Sequence, residues 1–163
     1  MGVTGGLIAL AAALAVATAL GVALRRRAGR FRTGSAARVL GREPVALTEA
    51  DLGSRLGERA TLVQFSTEFC APCRPTRQIL AEVARTVDGV THVEIDAAAR
   101  LDLVRRLHVT SAPTVLVLDP DGGVVSRAVG QPRQADVIAA LWAVTASARQ
   151  GAGNPGGGSD SHP

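Results

Sequence analysis

The element pattern of this 163-residue chain predicts an α/β fold, a central mixed β-sheet flanked by helices and preceded by one N-terminal transmembrane helix. Three observations carry the prediction. TLVQFST (61–67) and TVLVLD (114–119) are short, nearly continuous apolar runs of the length of buried strands. Between them, and again near the C-terminus, apolar residues recur at three- and four-residue spacing, the period of a helix. DPDGG (119–123) then makes a tight turn into VVSRAVG (124–130), an antiparallel hairpin.

The chain opens with GVTGGLIALAAALAVATALGVAL, uncharged from Gly2 to Leu24, followed at once by RRRAGRFR. A helix crossing roughly 30 Å of hydrocarbon needs about 20 such residues. A cleaved signal peptide would carry its basic residues before the apolar run, not after it. A buried soluble helix is the other competing reading. A membrane span at 2–24 suits the run best, and the positive-inside rule then keeps the arginines and all that follows in the cytoplasm. The expected location is the cell membrane, single-pass, with the reverse orientation as the alternative. Residues 25–44 read as a basic juxtamembrane linker, in which Arg25, Arg26, Arg27, Arg30 and Arg32 can meet anionic lipid headgroups.

The domain proper spans 45–149. VAL at 45–47 reads as a short edge strand. Thr48 and Asp51 have the spacing of a capping box for a helix to about Leu56. The strand at 61–67 leads into a helix from about Ala71 to Val87, with Ile79, Leu80, Val83 and Val87 on one face. VTHVEID (90–96) alternates as a strand, and a short helix covers about 98–107. After the strand at 114–119 and the hairpin, a last helix runs from about Arg133 to Ala148. Residues 150–163 are Gly, Ser and Pro with little to bury and read as a disordered tail.

Composition excludes several functions. Every basic side chain but histidine is Arg, and seven of the 18 lie between Arg25 and Arg42. The domain itself is near neutral, so no basic face for nucleic acid is expected. Two cysteines are too few for a disulfide-stapled scaffold.

Those two cysteines stand in FCAPCRPT, where a buried strand ends and a long helix begins. A helix N-terminus offers unpaired N–H groups and about half a positive charge, which favours a thiolate. Arg74 and Arg77 add positive charge nearby. Cys70 is then the exposed nucleophile, and Cys73, one turn on, the more buried resolving thiol. Pro72 and Pro75 fit only where the helix begins. Two other readings compete. A structural zinc site wants four ligands, and His92, His108 and His162 are scattered, so neither metal nor cofactor is expected. Two inert core cysteines would not explain the flanking prolines.

At these residues the chain resembles the thioredoxin family, over about residues 45–149. TLVQFSTEFCAPCR is similar to the family's strand, active-site turn and helix start, and HVTSAPTVLVLDPDGGVVSRAVG to its later strand and hairpin. The resemblance implies a cis bond before Pro113. It also implies a substrate-binding surface made by Phe69, Pro72, Ala112, Pro113 and Gly130, with Ala112 offering backbone hydrogen bonds to an extended segment. Four departures stand out. Gln64 occupies the place of a buried Asp, Phe69 and Ser66 replace tryptophans, and Ala-Pro replaces Gly-Pro between the cysteines. No insertion separates Asp96 from Pro113, unlike cytochrome-maturation relatives. Together with the expected span at 2–24, the resemblance implies a membrane-anchored reductase of disulfides in protein partners, re-reduced by an unidentified electron donor. An extracytoplasmic relay or oxidant and a non-catalytic redox sensor are the alternatives.

Overall fold

A computed structural model of the chain describes residues 12–21, 31–33 and 45–151. In chain order the elements are β1 (Arg32–Thr33), α1 (Glu49–Leu52), β2 (Ala60–Ser66), α2 (Cys73–Thr86), β3 (Val90–Asp96), α3 (Leu101–Arg106), β4 (Thr114–Leu118), β5 (Val124–Val129) and α4 (Gln134–Gly151). The sheet order is β1-β5-β4-β2-β3. β2 and β3 are parallel, joined across α2, while β2–β4 and β4–β5 are antiparallel. This is the mixed sheet the element order predicts.

Both faces of the sheet are covered, which is why β2 and β4 read as continuous apolar runs rather than alternating ones. Ala60, Leu62, Val115 and Val117 point to one face. There they pack with Leu80 and Val83 of α2 and with Val137, Leu141 and Val144 of α4. Val63, Phe65, Leu116 and Leu118 point to the other, against Leu47, Leu52, Leu103 and Leu107.

Several boundaries differ from the sequence reading. The capping box forms, with Thr48 accepting from the Asp51 N–H and Asp51 accepting from the Thr48 N–H. The helix it starts is a single turn, stopped by Gly53 at φ 64°. The expected strand at 45–47 contributes one isolated bridge, Ala46 to Gly123, because the chain turns into α1 directly afterwards. α2 begins at Cys73 rather than Ala71, with Pro72 at its N-cap. α3 starts later than expected, since the Asp96 side chain takes the Ala98 N–H in a turn. The expected linker is not all linker. Arg32 and Thr33 pair antiparallel with Arg127 and Ser126, and Phe31 packs against the core on the α2/α4 face.

Residues 12–21 are helical, with Leu14, Val16 and Leu20 exposed. The rest of the expected span lies outside the described residues, as do Arg25, Arg26, Arg27 and Arg30. Most of the expected tail lies outside them too, while α4 runs on to Gly151. Among the described residues no helix is long and apolar enough to cross a membrane.

Candidate functional site

The register of the sheet gathers the site. β2 runs antiparallel to β4 with Phe65 opposite Thr114, and Thr114 lies opposite Val129. The residues after β2, those before β4 and those after β5 therefore emerge at one end of the sheet. Residues 67–73, the 111–113 loop and Gly130 meet there.

Cys70 and Cys73 form a disulfide, S–S 2.06 Å, with Cα atoms 5.3 Å apart. The Cys73 N–H donates to the Cys70 carbonyl at 3.1 Å, which closes the turn between them. Cys73, first residue of α2, is 3% exposed, whereas Cys70 is only partly covered. This is the asymmetry expected of an entry thiol and a resolving thiol. Phe69 is 93% exposed beside Cys70, and Pro72 is also exposed.

Across the site the Ala112–Pro113 peptide is cis. Pro113 is buried and Ala112 partly so. The Pro113 carbonyl accepts the Gly130 N–H at 2.8 Å, tying the two loops together. Gly130 has φ 86°, a left-handed conformation that side chains other than glycine's resist. All seven residues expected at the site, Phe69, Cys70, Pro72, Cys73, Ala112, Pro113 and Gly130, lie at this end of the sheet.

The resemblance pointed to Gln64 at a buried position, but sequence reading missed the polar chain it belongs to. Gln64, fully buried in β2, donates through Nε2 to the Cys73 carbonyl at 3.0 Å and to Ser66 Oγ at 2.8 Å. Ser66 Oγ donates to Glu94 Oε1 at 2.6 Å. Arg77, one turn beyond Cys73, grips both Glu94 oxygens, Nη2 to Oε1 at 2.7 Å and Nε to Oε2 at 2.5 Å. Burial pushes the Glu94 carboxyl up, but the hydrogen bonds from Arg77 and Ser66 outweigh it and hold it below its ordinary value. Arg77 is thus committed to Glu94, so its charge is largely neutralised. Arg74 is left as the exposed cation of the first turn. A hint lay in the alternation of VTHVEID, which puts His92 and Glu94 on one face, but nothing in it says that this face lies under α2.

The described residues hold no cluster of three or more His, Cys, Asp or Glu able to bind a metal ion. What the arrangement can do is exchange electrons through the sulfur pair.

Known proteins agree with this geometry. A sequence model of the thioredoxin family matches residues 44–143. Thioredoxins of Staphylococcus epidermidis and Staphylococcus aureus are each 30% identical over 92 residues, 55% of this chain and 88% of theirs. The crystal structure of chloroplastic thioredoxin z superposes with a TM-score of 0.51 at 27% identity, over 60% of this chain and 87% of that one. With the paired Cys70 and Cys73 at the family's place, the chain belongs to the thioredoxin family and carries the dithiol centre of a thiol–disulfide oxidoreductase.

Proposed function

We propose that the chain is a membrane-anchored protein-disulfide reductase. The observation that carries this reading is the pairing of a partly exposed Cys70 with a buried Cys73 at the start of α2, beside the exposed Phe69. In the reduced protein the Cys70 thiolate attacks a disulfide in a protein partner. One partner sulfur joins Cys70 and the other leaves as a thiol. Cys73 then attacks the Cys70 sulfur, the mixed disulfide breaks, and the partner is released with both sulfurs reduced. The domain ends in the disulfide form and is returned to the dithiol by a separate electron donor. Phe69, Pro72, Ala112, Pro113 and Gly130 make the surface against which an extended partner segment lies.

Anchoring rests on the uncharged run from Gly2 to Leu24 and the arginines that follow it. In this reading those arginines face anionic lipid on the cytoplasmic side, and the domain works there.

Changing Cys73 to Ser leaves the mixed disulfide unresolved and should trap partners on Cys70. The wild type should reduce insulin disulfides. Absence of both trapped partners and insulin reduction would remove the reductase reading. A reporter fused after Pro163 that works only outside the cytoplasm would reverse the orientation and favour an extracytoplasmic relay.

A further inference from the structure

Two buried polar atoms beneath α2 have no hydrogen-bond partner, Gln64 Oε1 and His92 Nε2. They lie on adjacent parallel strands. Gln64 stands opposite Glu94 and Leu62 opposite His92, so Gln64 and His92 are diagonal neighbours across the two strands. Paired residues of a parallel ladder share a face. The chain Gln64–Ser66–Glu94–Arg77 shows that this face is the one under α2. Such a pair of orphaned atoms is uncommon in a folded interior, where nearly all buried polar groups are paired.

The direction of the Gln64 amide follows from its neighbours. The Cys73 carbonyl can only accept, so Gln64 presents its NH₂ there, and Oε1 is turned away as a free acceptor. Gln64 is fully buried, and its amide hangs on the backbone of the resolving cysteine. One water between Oε1 and Nε2 would donate to both and keep its own oxygen free to accept a third hydrogen bond. The structure is that of the disulfide form, in which Cys73 has no thiol proton. Reduction creates one.

We propose that His92 receives the Cys73 thiol proton during the resolving step, through a water held by Gln64 Oε1 and His92 Nε2. The Cys73 S–H gives its proton to the water, which passes one of its own to Nε2. The electron pair left on Cys73 Sγ forms the bond to Cys70 Sγ. The bond from Cys70 to the partner sulfur breaks, and that sulfur leaves with the pair. His92 later returns its proton to solvent, and the released thiolate takes one up according to its own pKa. His92 touches neither cysteine sulfur and is a positioning residue, acting through the water that Gln64 holds.

The surroundings suit this role. Half-buried His92 loses proton affinity by desolvation, the largest influence on it. Glu94, two residues along the same strand, raises that affinity and Arg77 of α2 lowers it. Gln64 and Ser66 of β2 do not titrate in this range. The imidazole is therefore held neutral at pH 7, free to accept.

The inference rests on the dithiol exchange of the reductase reading but not on protein partners. The test uses the full reduced chain and an aromatic small-molecule disulfide, 5,5′-dithiobis(2-nitrobenzoate), in stopped flow from pH 5 to 9. The first release of chromophore reports attack by Cys70 and the second reports resolution by Cys73. In the wild type the second phase should level off above the His92 pKa. In His92→Leu and His92→Gln it should be roughly 10²-fold slower at pH 7. It should also climb about tenfold per pH unit with the Cys73 thiolate fraction, while the first phase is unchanged. His92→Gln keeps a polar side chain of similar size and carries the test if His92→Leu does not fold. A second phase in His92→Gln with wild-type rate and plateau overturns the proposal, and so does equal slowing of both phases. Loss of insulin reduction with the two-phase profile intact would count against the reductase reading alone.

Discussion

Replacing Leu80 by Ala should destabilise the domain by about 3–4 kcal/mol while leaving the redox couple almost untouched. Leu80 is fully buried on α2 and belongs to the cluster with Leu62, Val83, Val115, Val117, Val137 and Leu141. Truncation removes three carbons, at roughly 0.8 kcal/mol each about 2.5 kcal/mol of transfer free energy. The cavity adds to that. Its walls on β2 and β4 are held in register by ladder hydrogen bonds, so they cannot close the space. The total is a large part of the 5–15 kcal/mol by which such domains are stable. With a urea slope of about 1.5 kcal/mol per M, the midpoint should fall by about 2 M with the slope unchanged. Leu80 belongs to the apolar cluster and not to the sulfur pair, so both redox forms should lose alike and the reduction potential should hold. A loss under 1 kcal/mol would refute the packing account. A shifted potential would show that the core and the sulfur pair are coupled.

Other perturbations follow from the same geometry. Thr48→Ala removes the side-chain half of the capping box and should cost about 1 kcal/mol in urea denaturation. Gly122→Ala would set its Cβ 2.0 Å from the Leu47 carbonyl oxygen at φ 83°. It should break the Leu47–Gly122 hydrogen bond and lower the melting temperature more than Thr48→Ala does. Glu94 is held below its ordinary pKa in the folded state, so its contribution is full above the unfolded value and lost as pH falls through the folded one. The pair is partly solvated, so the effect stays below about 1 kcal/mol. Glu94→Gln should therefore lower stability at neutral pH by up to about 1 kcal/mol, leave the acid end nearly unchanged, and so flatten the acid limb of a stability-against-pH curve.

Most of the fold was legible because both sheet faces are buried. β2 and β4 must then be continuous apolar runs, and α2 and α4 must carry apolar stripes. Boundaries were less so. Gly53 ends α1 after one turn although the helical signal runs on to Leu56, because a left-handed glycine stops a helix wherever it falls. The pairing of Arg32 and Thr33 with β5 was hidden, since two polar residues in a basic stretch have no strand period.

By itself the sequence determined the chemistry of the site. Two cysteines one turn apart, placed by a buried strand at a proline-marked helix start, favoured a dithiol couple over a zinc site or a pair of inert core residues. The resemblance then pointed to Ala112, Pro113 and Gly130. Only the tertiary structure decided what lies beneath that couple. Gln64, Ser66, Arg77, His92 and Glu94 come from β2, α2 and β3, and sequence distance says nothing about their meeting. Parallel register sets Gln64 opposite Glu94, and the packing of α2 over that face brings Arg77 down onto it. Hydrogen bonding depends on the last ångström of such packing, and only the folded chain specifies it.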